Sequence, residues 1–140
     1  MVWTTTNGSI YRSDDRGSPD SVEMLYNYGG DPRGLDINPK HNGGDIYWAD
    51  YDAARVLRGS YYGAHNQTIH QSDSGIFDVK LYITGRVCKH VYFTIPSRGV
   101  IARTDCEGQD YYELVEFADI SPHGLDIQID LGKSTTAVFR

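Results

Sequence analysis

Strong helix formers are scarce in this sequence. Its 140 residues include only four Lys, seven Ala and two Met, and no window of about 12 residues places apolar side chains at helical spacing. No run of about 20 apolar residues occurs, so the sequence predicts no membrane-spanning helix. Positive charge is also in short supply, because 13 Lys and Arg face 19 Asp and Glu, for a net charge of -6. A nucleic-acid partner or an anionic membrane surface is therefore not expected.

Glycine and tyrosine are abundant instead, with 15 and 11 residues. Short apolar segments are broken by Gly, Asn, Asp or Pro about every ten residues, which is typical of a sandwich, a barrel or a propeller. The length favours one domain. We therefore expect a single all-β domain.

Internal repeats narrow this choice. An aliphatic-x-Arg segment followed by Gly recurs about every 45 residues, as does an aromatic pair, and a Pro-x-Gly-Leu-Asp-Ile segment occurs twice with a weak copy between. The aliphatic-x-Arg segments are Ile10-Tyr11-Arg12 with Gly17, Val56-Leu57-Arg58 with Gly63, and Ile101-Ala102-Arg103 with Gly108. The aromatic-pair segments are Val2-Trp3-Thr4, Tyr47-Trp48-Ala49 and Tyr92-Phe93-Thr94. The Pro-x-Gly-Leu-Asp-Ile segments are 32–37 and 122–127, with the weak copy at 76–81.

A repeat of about 45 residues that holds four short strands is typical of a propeller blade. From the centre outwards, we assign the Pro-x-Gly-Leu-Asp-Ile segment to strand A, the aromatic pair to strand B and the aliphatic-x-Arg segment to strand C. Strand D follows the Gly turn, at Val22–Tyr26, Gln67–His70 and Tyr111–Phe117. The sequence thus predicts three four-stranded blades, which cover approximately 1–45, 46–90 and 91–140.

These segments also resemble a known repeat. The run from Pro32 to Ile37, then Ile46-Tyr47-Trp48-Ala49-Asp50, is similar to the YWTD repeat, the class B repeat of low-density-lipoprotein receptors. The other copies carry Thr5 and Ile95 in place of Asp50, and Lys80 replaces the strand-A Asp of the middle copy. The resemblance implies a six-bladed extracellular propeller that binds ligands and catalyses nothing.

Three blades form only half of such a ring. Closed propellers need about four to eight blades, and a half-ring would expose two blade faces and two strand edges to water. We therefore expect a homodimer of two half-rings joined head to tail. The alternative is that the chain is a fragment of a longer six-bladed protein or receptor ectodomain.

The segments near the two ends agree with an exchange of strands between half-rings. The first motif, Val2–Thr5, is a strand B, and the last clear motif, Gly124–Ile127, is a strand A. Thr135–Arg140 also aligns with strand B. It is an extra edge strand, a rival for the same position or a frayed tail, and the sequence does not choose between these.

Two cysteines lie in the third blade. Cys88 leads into strand B and Cys106 ends strand C, and the connecting turn at 96–99 places them opposite each other. We expect a disulfide between them and hence a secreted, extracellular protein; the alternative is two unpaired thiols. Asn7-Gly8-Ser9 and Asn66-Gln67-Thr68 are candidate N-glycosylation sequons.

The motif residues are expected to be structural. Trp3, Trp48 and Phe93 should pack between blades. Arg12, Arg58 and Arg103 should be hydrogen-bonding struts from blade to blade, and Asp36 and Asp126 should tie neighbouring backbones.

Binding is expected in the loops that differ between repeats and share one face, the D–A and B–C loops. Carboxylates, Arg and aromatic rings together suit a polyol ligand, and they also suit a protein epitope. The candidate ligand-binding residues are Asp31, Arg33, Tyr51, Asp52, Arg55, Asp73, Arg98, Asp119 and His123.

Three functions follow from this surface. We expect a non-enzymatic, lectin-like protein, because several equal sites on a symmetric assembly give avidity for clustered glycans. A protein-binding YWTD module is the alternative, and a propeller hydrolase or lyase, built on His123 with Asp31 and Asp119, is a third. No P-loop, His-Glu-x-x-His, Gly-x-Ser-x-Gly or Cys-x-x-Cys motif occurs, so we expect no catalytic residue, no metal and no cofactor.

Overall fold

Antiparallel strands joined in sequence order make up the chain. The structure is a computed structural model that describes residues 1–27, 29–39 and 43–128 and the backbone of 136–139. Within these residues no helix is long and apolar enough to span a bilayer. Two short 3-10 helices interrupt the strands, at Pro19–Ser21 and Pro96–Arg98. The strands are β1 Val2–Thr4, β2 Ser9–Arg12, β3 Glu23–Asn27, β4 Pro32–Asn38, β5 Asp45–Asp50, β6 Arg55–Ser60, β7 Asn66–Gln71, β8 Val79–Thr84, β9 Val87–Ile95, β10 Val100–Thr104, β11 Tyr112–Glu116, β12 Leu125–Gln128 and β13 Thr136–Phe139.

Within each sheet, every strand pairs with the next one along the chain, as in the blades of a propeller. The sheets are β1-β2-β3, β4-β5-β6-β7, β8-β9-β10-β11 and β12-β13. Strands β4, β8 and β12 contact one another in that order, so the sheets stack side by side with these strands innermost. The all-β prediction and the order of strands A to D within a blade are confirmed, and each end of strand D differs from its predicted position by one residue.

The hydrogen-bonded sheets begin one strand earlier than the sequence repeats. The first sheet has strands B, C and D, while β12 and β13 are strands A and B of a fourth, incomplete sheet. In β12, Leu125 lies opposite Phe139 of β13. The segment 135–140 therefore occupies a strand-B position through its residues 136–139, while Thr135 and Arg140 lie outside the described residues.

Apolar side chains fill the spaces between the sheets. Trp48 is fully buried against Ile10 and Tyr26 of the first sheet, and Phe93 is fully buried against Val56 of the second. Their predicted position between blades is confirmed. Trp3 differs: it is only partly buried on the outer face of the first sheet, because no described residues form a sheet before it, and it stacks on Tyr11 with ring centroids 5.8 Å apart.

Aspartates on the inner strands tie adjacent sheets together. Asp36 accepts hydrogen bonds from the Ile37 N–H at 2.8 Å and, across the interface, from the Leu81 N–H at 2.9 Å. The predicted tie by Asp36 is thus confirmed. Asp126 accepts the equivalent bond from its own neighbour Ile127, but it is exposed and ties no second sheet within the described residues.

In the middle repeat a different residue, Asp78, makes the tie between adjacent sheets. Lys80 stands where Asp36 stands in the second sheet, but Asp78 lies two residues earlier and therefore shares its strand face. Asp78 accepts from the Val79 N–H at 2.9 Å and from the Leu125 N–H of the next sheet at 2.7 Å. Gly34 makes room for it, because a Cβ at this position would collide with the Asp78 side chain.

The recurring arginines tie the outer strands. Arg12 donates to the Tyr61 carbonyl at 2.8 Å and Arg58 to the Cys106 carbonyl at 3.2 Å, each across one interface. The predicted strut is confirmed at both positions. At Arg103 the strut stays a prediction: within the described residues its guanidinium contacts His90 Nε2 of its own sheet at 2.9 Å, because β12 and β13 bring no strand C–D turn to it.

The expected disulfide is confirmed. Cys88 and Cys106 are bonded, with Cα atoms 6.1 Å apart. The pairing follows from the β9–β10 register, in which Ile95 lies opposite Val100 and Val91 opposite Thr104. The bridge therefore closes the hairpin on the side away from its turn.

We expect Asp36→Ala to lower the free energy of unfolding by about 1–3 kcal/mol, because the buried Leu81 N–H loses its acceptor. Asp126→Ala is the matched control, and it should cost no more than about 0.5 kcal/mol because its carboxylate is exposed. Urea unfolding of both variants measures the difference. Equal losses would contradict the assigned tie between sheets.

Replacing both cysteines by Ala should destabilise the protein by about 3 kcal/mol, because a bridge across 18 residues no longer restricts the unfolded chain. Titration of the native wild-type protein with a thiol reagent should find no reactive cysteine. Two titratable thiols in the native protein would show that the bridge does not form.

Candidate functional site

Equivalent positions at the entrances of three inner strands meet at one end of these strands. Arg33, Phe77 and His123 each occupy the second position of the strand-A segment in successive repeats. The Arg33 guanidinium lies 5.6 Å from the centroid of the Phe77 ring, and the Phe77 and His123 rings meet edge to face at 4.7 Å. We call these three residues the channel-mouth arc.

Threonines of strand B hold both ends of this arc in place. The Thr4 hydroxyl donates to the Arg33 carbonyl at 3.0 Å, and the Thr94 hydroxyl donates to the His123 carbonyl at 2.8 Å. Thr4 and Thr94 are equivalent residues of the aromatic-pair repeat. Ala49 takes this position in the middle repeat, where the Phe77 carbonyl instead accepts from the Gly34 N–H at 2.9 Å.

Tyr51 and Asp31 contact the channel-mouth arc at its Arg33 end. Arg33 forms two hydrogen bonds to Asp31 Oδ2, at 2.9 and 2.6 Å, and its guanidinium lies 5.6 Å from the Tyr51 ring centroid. Tyr51 also meets Phe77 edge to face at 6.2 Å. Beside these groups is a cavity of about 260 Å³, lined by Thr4, Thr5, Thr6, Asp31, Pro32, Arg33, Gly34 and Phe77.

Two other candidates do not join this group. The Arg55 guanidinium donates twice, at 3.2 Å, to Asp50, whose side chain is fully buried. Asp50 also accepts from the Asp31 and Ala53 N–H groups, so Arg55 and Asp50 together fix the B–C loop. Asp52 is exposed on that loop.

Arg98, Asp73 and Asp119 form a second group on the third sheet. Arg98 donates to Glu113 at 2.8 Å and lies 3.9 Å from Asp73. Burial, followed by its hydrogen bond to Glu113, raises the pKa of Tyr111 to about 12, and the same hydrogen bond lowers the pKa of Glu113. A cavity of about 340 Å³ lies here, lined by residues 96–99 and 117–121. Among the described residues, no hydrogen bond, ion pair or ring contact joins Arg98, Asp73 or Asp119 to the arc. The nine predicted residues therefore divide among three places: the arc, the B–C loop with Arg55 and Asp52, and this second group.

Carboxylates on or beside the inner strands line a further cavity. A cavity of about 260 Å³ is bordered by Asp78, Lys80 and Asp126 together with Gly124 and Leu125. Burial raises the pKa of Asp78, while the hydrogen bond from Leu125 opposes this. Across the described part of the chain, no three His, Cys, Asp or Glu side chains are grouped to hold a metal ion.

His123 and Asp31 each have a polar partner beside the arc. His123 Nδ1 lies 2.9 Å from the Ser121 carbonyl, which can only accept, so the nitrogen carries a proton there. Asp31 is paired with Arg33.

Sequence reasoning missed Phe77, Thr4 and Thr94. Phe77 was available as the second residue of the weak middle copy of strand A. The two threonines were visible as the last residues of equivalent aromatic-pair segments. Both sequon asparagines, Asn7 and Asn66, are exposed, and the Thr5 hydroxyl donates to the Asn7 side chain.

The fold and the comparisons with solved structures define the class. The stacked four-stranded meanders are blades of a β-propeller, and propellers are among the structural neighbours of the chain. No protein-family model matches the sequence, and no curated protein matches it.

Three solved structures are similar to this chain. Nidogen, in its complex with laminin, aligns with a TM-score of 0.74 at 16% identity, over 89% of this chain and 47% of that one. Virginiamycin B lyase from Staphylococcus aureus aligns with 0.66 at 16% identity, over 98% and 50%. An auxiliary nutrient binding protein from Bacteroides thetaiotaomicron aligns with 0.65 at 14% identity, over 99% and 41%. The chain thus spans half or less of the length of each neighbour.

We expect Thr94→Val to lower the free energy of unfolding by about 1–3 kcal/mol, because the Asp78 N–H and the His123 carbonyl lose their buried partner. Thr104→Val is the matched control. Its buried hydroxyl has no hydrogen-bond partner among the described residues, so the change should be neutral or stabilising. Urea unfolding compares the two, and equal destabilisation would contradict the role of Thr94.

Proposed function

We propose that this protein is a non-enzymatic extracellular recognition protein that binds carbohydrate at the channel-mouth arc. The observation that carries the proposal is the contiguous contact of Arg33, Phe77 and His123 with Tyr51 alongside. Aromatic rings offer an apolar surface to the C–H face of a sugar ring. The Asp31 carboxylate and the Arg33 guanidinium supply an acceptor and donors for neighbouring hydroxyl groups.

The size of the adjoining cavity supports a small ligand. Its volume of about 260 Å³ lies just below the range of about 300–1,000 Å³ for small-molecule sites. A cavity of this size accommodates one sugar unit better than an extended chain. The disulfide agrees with an oxidising, extracellular location.

The wider assignment is a YWTD-type propeller that acts as a homodimeric ring. The repeat segments support the YWTD type, and three complete or nearly complete blades per chain support a ring of two copies. In such a ring each copy would present one arc, and two arcs on one face give avidity for clustered glycans.

A protein ligand is the second candidate. Arg98, Tyr111 and Glu113 form a connected group, and Ile120 beside it is 56% exposed. Arg and Tyr are enriched among the residues that dominate protein interfaces. The similarity to nidogen, which was solved in complex with laminin, agrees with this candidate.

A glycan array probed with the intact protein tests the first candidate. We expect binding to a defined sugar class that the free sugar inhibits. Arg33→Ala and Phe77→Leu should each weaken it at least about tenfold, a loss of about 1.4 kcal/mol.

Arg98→Ala is the matched control, because this residue lies in the second group and should leave sugar affinity unchanged. If no glycan binds, carbohydrate recognition is wrong. If Arg98→Ala alone abolishes binding, the site is the second group and not the arc.

A further inference from the structure

The two interfaces within the chain share a contact that begins at a β-bulge. In strand D of each sheet one residue is skipped in the pairing with strand C, and these residues are Leu25, Ile69 and Leu114. The glycine of the next sheet's C–D turn lies against this bulge. A Cβ on Gly63 would lie 2.7 Å from the Leu25 carbonyl oxygen, and a Cβ on Gly108 would collide with that of Ile69.

The exposed fraction of each bulge residue shows whether another blade covers the bulge. Leu25 and Ile69 are 8% and 9% exposed, and each is followed by a complete sheet. Leu114 is 39% exposed, because no C–D turn of the described residues reaches it. Leu114 therefore marks an interface half that lacks its counterpart.

The contacts of Arg103 indicate that the same C–D turn of a following blade is missing. Arg12 and Arg58 each donate to the carbonyl two residues before the glycine of the next turn. Arg103 has the equivalent position, but its Nη1, the atom from which Arg12 and Arg58 donate, contacts His90 of its own sheet. Its Nε is buried without a hydrogen-bond partner among the described residues. Tyr112, opposite Arg103 in the sheet, is 59% exposed.

The first sheet carries the complementary half. Trp3, Tyr11 and Met24 form one cross-strand row on its outer face, and Trp3 is equivalent to Trp48 and Phe93, which bury themselves in the preceding sheet. Gly17 is equivalent to Gly63 and Gly108. A Cβ at Gly17 would meet only the flexible end of Met1, at 3.3 Å.

We propose that the open face of the third sheet binds the open face of the first sheet of a second copy of this chain. In this contact Gly17 of the second copy lies on the Leu114 bulge and Arg103 donates to the Asp15 carbonyl, two residues before Gly17. Trp3 packs on the third sheet as Trp48 packs on the first. Two such contacts, related by a twofold axis, close the ring.

Strand β13 competes with this closure. In the second and third sheets the strand beside strand A is strand B, β5 or β9. In the incomplete sheet β13 has that place on β12, and it is the place that β1 of the second copy takes. Exchange of β13 for β1 therefore accompanies association.

This inference deepens the proposed homodimer and is independent of the ligand. Sedimentation equilibrium of the full 140-residue chain should give twice 15.7 kDa, with a monomer at low concentration. Trp3 is partly exposed in the single chain while Trp48 is buried, so tryptophan emission should shift to shorter wavelength as the dimer forms. A monomer at every concentration would overturn the proposal.

Gly17→Asn tests the bulge contact. Asn tolerates the positive φ of 68° at this position, and its side chain would collide with the Leu114 carbonyl of the other copy. We expect the dimer to dissociate at least about tenfold more readily. Gly85→Asn is the matched control, with φ 64° and no atom within 4 Å of a Cβ. Equal effects of the two variants would contradict the interface.

Arg16→Glu tests the same contact by strengthening it. Residue 16 corresponds to Glu107, which pairs with Arg58 at 2.7 Å, whereas Arg16 brings a like charge towards Arg103. Removing this repulsion and forming an exposed ion pair should tighten the dimer about threefold or more. Unchanged or weaker association would contradict the placement of Arg103.

The double variant Ala137→Pro with Val138→Pro tests the exchange of β13 for β1. Proline removes the backbone donor and weakens pairing with β12, so this double variant should associate more tightly if β13 competes with β1. Weaker association would show that β13 belongs to the interface instead. Binding of a monovalent sugar to the arc should persist in all these variants, which separates a failure of the interface from a failure of the proposed ligand.

Discussion

The structure depends on covering both faces of every β-sheet. A four-stranded blade has no core of its own, so its apolar side chains are buried only between neighbouring blades. At each interface an inner-strand carboxylate, Asp36 or Asp78, accepts a backbone N–H from the next sheet. Outer-strand arginines, Arg12 and Arg58, reach the next C–D turn. These polar contacts fix the spacing, and Trp48 and Phe93 fill the volume between them.

The same stacking creates the candidate binding surface. Each inner strand begins at the channel mouth, so the residue entering it meets its equivalents from the neighbouring sheets. The repeat conserves this position in space and changes the side chain, giving Arg33, Phe77 and His123 a shared line of contact.

The need to cover sheet faces also applies to the outer faces of the first and third sheets. The outer faces of the first and third sheets keep the features of an interface: an aromatic row at Trp3, a bulge at Leu114 and a buried guanidinium nitrogen at Arg103. Because both faces derive from one repeat, each is shaped for the other. In the proposed dimer, a second copy would satisfy them with contacts of a kind that the chain already makes twice.

The sequence by itself determined the all-β class, the blade period, the strand order within a blade and the Cys88–Cys106 bridge. These depend on local spacing and on the register of neighbouring strands, which the chain order fixes. It also indicated the roles of Asp36, Arg12 and Arg58, because repetition at one strand position signals one repeated contact. Only the tertiary structure decided that Asp78 replaces the missing Asp, that Arg55 is held by Asp50, and that Arg33, Phe77 and His123 meet. Apart from the Asp50–Arg55 pair, which lies within the β5–β6 hairpin, those contacts join residues about 45 positions apart, and their geometry is set by the packing angle between sheets and not by any local pattern.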